Sequence, residues 1–153
     1  MNLLFVCLGN ICRSPMAEAM MKERINQAGL ANQVKIDSAG TSDFNKGKFA
    51  DSRTVNQLNL HNVPAENLIS RQITRADILE NDYVICMDDS NISNVKEMFA
   101  DLTCDNVIGI NDITPNKKGV AVDDPWFTGD FETTYRDIDY ALDFWMDKVK
   151  SEL

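Results

Sequence analysis

The chain has 153 residues, 44% hydrophobic and 25% charged, which points to one folded domain over residues 1–153 with a single core. A net charge of −9 argues against a nucleic-acid surface or an anionic membrane as partner, yet leaves room for a locally positive site that takes an anionic substrate. No basic and apolar leader and no run near the ~20 apolar residues of a membrane span is visible, and the four cysteines (Cys7, Cys12, Cys86, Cys104) do not pattern as a disulfide framework, so the cytoplasm is the expected compartment.

Residues 3–7, LLFVC, form a short continuous apolar run and read as a strand buried on both faces. A helix is expected after it, with Ser14 as cap, Pro15 at the first position, Met16, Ala19, Met20, Glu23 and Arg24 at helical spacing, and Gly29 as stop. A second strand fits 34–38, and the turn residues from Ala39 to Lys48 read as a loop. Residues 51–60 carry a helical pattern closed by Pro64, and Thr74 caps a short helix over 75–80. Residues 83–87 read as a third strand, Ser90 as the cap of a helix reaching Phe99, and 106–110 as a weaker fourth strand. In the last segment Tyr135, Ile138, Leu142, Trp145 and Val149 recur every three or four residues between acids, the mark of a long amphipathic helix. Strands alternating with helices imply an α/β fold, a parallel sheet with helices on both faces.

The first strand-to-helix turn is where such a sheet takes its ligands. Residues 8–14, LGNICRS, fill it. Backbone N–H groups curled round a tight loop at a helix start make a bowl for a tetrahedral anion, and Gly9 and Asn10 tolerate the positive dihedrals that the curl demands. Arg13 adds a planar fork for two phosphate oxygens. Cys7 then lies beneath the bowl, where a helix N-terminus and a guanidinium favour thiolate over thiol and Ser14 can donate to the sulfur; the expectation is a nucleophile facing a bound phosphorus. A cysteine that ends an apolar strand is by itself ordinary core, but core packing leaves Arg13, Gly9, Asn10 and Ser14 unexplained.

The stretch VCLGNICRSPMAEA resembles the signature of the low-molecular-weight protein tyrosine phosphatases, and the similarity continues through DSAGTS (37–42), DSR (51–53), SRQIT (70–74), ICMDDSN (85–91) and DDPWFTGDFETTY (123–135). The resemblance implies a three-layer sandwich on a four-stranded parallel sheet of order 2-1-3-4, and hydrolysis of phosphotyrosine through a cysteinyl-phosphate. Cys7, Arg13 and Asp124 match the catalytic residues, with Asp124 the general acid stiffened by Pro125 and the adjacent Asp123 the alternative for that role, and Leu8, Gly9, Asn10, Ile11, Cys12, Arg13 and Ser14 match the phosphate loop. Ser38 and Ser42, with Asn10, match a network that holds that loop. Trp126 and Phe127, where the family commonly has two tyrosines, and Phe44 match the walls of an aryl pocket. Ile11 fits tyrosine-directed members better than arginine-phosphate phosphatases, which resemble threonine there. Cys12 matches a redox partner of Cys7. Phosphotyrosine-containing proteins are the implied substrates and inorganic phosphate the product, with no cofactor and no metal; Arg53 and Asp88 read as structural, and His61 as a surface residue.

Two other functions fit parts of this pattern. An arsenate reductase would use the same anion loop but needs two later cysteines on a mobile segment, and Cys86 and Cys104 stand 18 apart with one in a predicted strand. A phosphotyrosine-binding module would be expected to lack the nucleophile or the acid, and both are present.

Overall fold

The computed structural model describes all 153 residues. Four parallel strands, β1 (Asn2–Cys7), β2 (Lys35–Gly40), β3 (Tyr83–Cys86) and β4 (Val107–Gly109), lie in the order β2-β1-β3-β4. β1 is central because its apolar run can bury both faces. Its side chains alternate, so Leu3, Phe5 and Cys7 enter one core while Leu4 and Val6 enter another. The larger core is built with α1 (Arg13–Gln27), α2 (Ser52–Leu60) and α6 (Phe131–Glu152); the smaller packs α3 (Arg75–Glu80) and α4 (Asp89–Met98) on the opposite face. This is the three-layer arrangement expected from the sequence.

Local chemistry explains the boundaries, including those that differ from expectation. Ser14 does not cap α1; the helix starts two residues earlier than expected, at Arg13 after Cys12, which makes no side-chain cap, and Pro15 sits in its first turn rather than at its first position. A missing N–H is still without cost there, because the opening turn has no intrahelical acceptors. Gly29, at φ 73°, closes the turn after α1. Thr74 and Asp77 form a reciprocal capping box at α3. At α4 the cap is Asp88 rather than Ser90, boxed with Asn91, while the Ser90 hydroxyl donates to Asp88 at 2.7 Å. β2 runs on to Gly40, two residues into the predicted loop, and α2 ends at a turn through His61 and Asn62 before Pro64 is reached. A four-residue helix absent from the sequence reading, α5 (Pro125–Thr128), begins on an Asp124 cap and closes at Gly129, φ 72°.

Both lone cysteines of the second half face away from Cys7. Cys86 and Cys104 are buried in the smaller core, across the sheet from Cys7 and Cys12. A relay of disulfides from Cys7 to either has no path through a packed sheet.

Candidate active site

Residues 8–12 leave the end of β1 and curl back to start α1, so the loop sits at the carboxyl edge of the sheet. Asn10 takes φ 54°, the left-handed region that asparagine tolerates, and its backbone N–H turns inward to the Cys7 Sγ at 3.3 Å. The Ser14 Oγ lies 3.0 Å from the same sulfur. Gly40, at the end of β2, passes so close that a Cβ there would stand 2.8 Å from the Leu8 carbonyl oxygen and 3.2 Å from Asn10. Only glycine permits that approach.

A buried set of side chains fixes the curl. The Asn10 amide donates to the Ser14 Oγ at 2.8 Å and to the Ser38 Oγ at 2.9 Å, and its carbonyl accepts the Arg71 backbone N–H at 3.0 Å. Ser38 in turn donates to the Glu18 carboxylate at 2.5 Å. Since a carboxylate only accepts, this end sets the direction of the whole chain: Ser38 gives its proton to Glu18 and receives from Asn10. Asn10 likewise donates to Ser14, whose own proton is then free to point at the sulfur. Ser42 holds the outer side of the loop through its hydroxyl and backbone N–H, both on the Leu8 carbonyl at 3.0 Å. Ser70 and Asn45 converge on the Gly9 carbonyl at 3.1 and 3.2 Å.

Arg13 is 3% exposed and held from behind. Its Nη1 donates to the Asp88 carboxylate at 2.7 Å and to the Val122 carbonyl at 2.9 Å, while Nη2 reaches the Asp124 Oδ2 at 3.4 Å. Nε has no partner. One edge of the fork, Nε with the remaining Nη2 hydrogen, is therefore uncommitted in a buried group, and such an edge can take two oxygens of a tetrahedral anion. Sequence reasoning treated Asp88 as merely structural, but it is the counter-ion that orients this fork.

Burial opposes charge on Asp88, yet hydrogen bonds from Arg13, Ser90 and the Asn91 N–H outweigh it and hold the carboxyl below the usual carboxylate range. A value depressed in the folded state adds stability above the unfolded value, near about 3.9, and loses it as pH falls through the folded one. An Asp88→Asn chain, still able to cap α4, is expected to be about 1–3 kcal/mol less stable to urea at pH 7. Its deficit should shrink as pH falls below about 4. A deficit that is the same at both ends of that window would show that the ion pair contributes nothing.

The pocket above the loop is a cavity of about 160 Å³ walled by Leu8, Ile11, Phe44, Trp126 and Phe127, with Cys7 and Asp124 at its polar end. A cavity of about 150 Å³ admits a benzene ring. Phe44 and Phe127 are 78% and 79% exposed, so neither is a core residue. Asp124 caps α5 through the Trp126 N–H at 3.0 Å, leaving its second oxygen toward Arg13. Cys12 is buried beside Cys7; burial, then the Asp51 carboxylate, push its thiol up to about 12, so at neutral pH Cys12 remains protonated. His61 lies away from this pocket, stacked on Tyr135 with ring centroids 3.8 Å apart. No group of three or more His, Cys, Asp or Glu side chains has the arrangement of a metal site, and no helix is long and apolar enough to cross a membrane.

Residues 2–153 match the sequence profile of the low molecular weight phosphotyrosine protein phosphatases. A Saccharomyces cerevisiae protein of that name is 40% identical over 144 residues, covering 91% of this chain and 89% of the relative. Among solved structures, YfkJ from Bacillus subtilis superposes with a TM-score of 0.95 at 31% identity, covering 99% of this chain and 96% of that one. A Drosophila arginine phosphatase superposes at 0.89 with 29% identity, covering 98% of each chain.

Proposed function

This chain belongs to the low-molecular-weight phosphotyrosine protein phosphatase family, and from that premise we propose that it hydrolyses phosphotyrosine and aryl phosphates in two steps through Cys7. The observation that supports this best is the conjunction at one bowl of a sulfur bonded by the Asn10 N–H and the Ser14 hydroxyl with a buried Arg13 whose Nε edge is free. The loop amides and that edge take the phosphate oxygens, and Cys7 Sγ attacks phosphorus from below. Asp124 delivers a proton to the departing phenolate oxygen; as carboxylate it then takes a proton from the water that attacks the cysteinyl-phosphate, releasing inorganic phosphate and restoring the thiolate. With Cys12 held as thiol, Cys7 is the nucleophile of the pair. Cys12, five residues on in the same loop, would trap an oxidised Cys7 as a disulfide. Cytoplasmic phosphotyrosine proteins are the proposed substrates.

Depth and wall chemistry select the leaving group. Cys7 is 3% exposed while Phe127 at the rim is 79% exposed, so a substrate needs the length of a phenyl ring to bring phosphorus to sulfur. Ile11 offers an aliphatic wall that suits a ring and would leave the N–H groups of a phosphoguanidinium unpaired. Peptides carrying phosphotyrosine, phosphoserine or phosphoarginine at one position test this by kcat/KM. Phosphotyrosine is expected to lead by at least about a hundredfold. Comparable turnover of phosphoserine, or preference for phosphoarginine, would overturn it.

A further inference from the structure

Asp124 is anchored on its N-terminal side, where Val122 is buried and bonded to Met87 and Arg13, but little fixes the segment that follows it. Of α5 only Pro125 is buried; Trp126 is 54% exposed and Phe127 more so. Asp124 touches Arg13 only at 3.4 Å, and the nearest hydroxyl tie is Thr134 on the Asp123 carbonyl at 3.3 Å. A general acid needs its oxygen within hydrogen-bond reach of the leaving group, so something has to hold this segment over the bowl.

One side chain on α2 spans that gap. The Arg53 guanidinium grips Asp51 through Nε and Nη2, both at 3.0 Å. Its Cζ lies 5.4 Å from the Trp126 ring centroid and 4.8 Å from that of Phe131, the first residue of α6. Both are cation–π distances, one on each side of the turn that joins α5 to α6. Asp51, in turn, donates its backbone N–H to the Ile11 carbonyl of the phosphate loop at 2.8 Å. A continuous path therefore runs from the phosphate loop through Asp51 and Arg53 to Trp126, two residues beyond Asp124. We propose that Arg53 is a positioning residue for the general acid: fixed by Asp51, it latches α5 to the phosphate loop and sets where the Asp124 carboxyl stands. This rests on the reading of Asp124 as the acid. The latch uses the fork twice, through Nε and Nη2 for the carboxylate and through its charge over the two rings, so lysine can supply the charge but not the two-point grip.

The test separates acid placement from general damage. Protonation matters most for a poor leaving group, so kcat/KM is measured with phenyl phosphate and with 2,4-dinitrophenyl phosphate for wild type, Arg53→Met, Arg53→Lys and Asp124→Asn. Arg53→Met is expected to lose about tenfold on phenyl phosphate and less than about twofold on the dinitrophenyl ester, with Arg53→Lys between it and wild type. Inhibition by inorganic phosphate should be unchanged. Trp126 should become more open to acrylamide quenching in Arg53→Met, against the constant signal of the fully buried Trp145. Arg53 is half-exposed, so the variants should keep the wild-type melting transition. Equal losses on both esters, or none on either, would overturn the latch. If Asp124→Asn itself showed no dependence on the leaving group, the acid assignment would fall first; dependence in Asp124→Asn without any in Arg53→Met sinks the latch alone.

Discussion

A Cys7→Ser chain is expected to bind inorganic phosphate and aryl phosphates but turn over essentially none, with kcat lower by on the order of 10⁴- to 10⁶-fold. The size follows from the atoms. A serine hydroxyl keeps the Asn10 N–H and the Ser14 Oγ as partners, so the curl of the loop survives. What it cannot do at neutral pH is present an anion to phosphorus, since in that step the proposed acid Asp124 holds its proton for the leaving group and is not free to act as the base that would make one. Cys12, the other thiol in the loop, cannot substitute, because burial and Asp51 keep it protonated. The Arg13 fork and the loop amides are untouched, so substrate affinity should change by no more than a few fold. Stopped at the bound state, this variant would retain tyrosine-phosphorylated proteins from a lysate. Hydrolysis above about one per cent of wild type, with the protein shown free of contaminating phosphatase, would overturn the assignment of Cys7.

Much of this was legible in residues 3–15, because short-range chemistry is written locally. The apolar run names a central strand, and a left-handed asparagine flanked by glycine, cysteine and arginine names an anion loop. Ser14 was misread as a cap since serine's preference for that position is strong; the tertiary structure outbids it by giving the hydroxyl a sulfur to face. The Arg13 counter-ion left no such trace. Asp88 stands 75 positions away and also caps α4, and a residue with a sufficient local job gives no sign of a second one. α5 was invisible for another reason, as four residues are too few to show a helical period. The latch from Arg53 to Trp126 depends on the approach of α2 to α5, which no stretch of sequence encodes alone.

The Asp124→Asn chain should lose about 10²- to 10⁴-fold in kcat while its fold and its phosphate affinity persist. Asparagine caps a helix as well as aspartate does, so α5 keeps its start through the Trp126 N–H. It also keeps the shape of the carboxyl, and Arg13 gives up only the weak 3.4 Å partner of its Nη2, while its main anchor, Nη1 on Asp88, stays in place. What it removes is the charge of the carboxyl and its exchange of a proton, and both steps of the proposed mechanism use that exchange. In the first, phenolate must depart unprotonated, which penalises phenyl phosphate far more than an ester with an acidic leaving group. In the second, water must attack the cysteinyl-phosphate without a base, and that step is common to every substrate. The leaving group thus separates the two roles: kcat/KM, which ends at formation of the intermediate, should vary steeply along an ester series, while kcat limited by hydrolysis of the intermediate should be depressed uniformly. A phosphoenzyme that accumulates on denaturing quench with the dinitrophenyl ester would place the second role on the same carboxyl. An Asp124→Asn chain with wild-type kcat on phenyl phosphate would transfer both roles to another group, with the adjacent carboxyl of Asp123 the first to test.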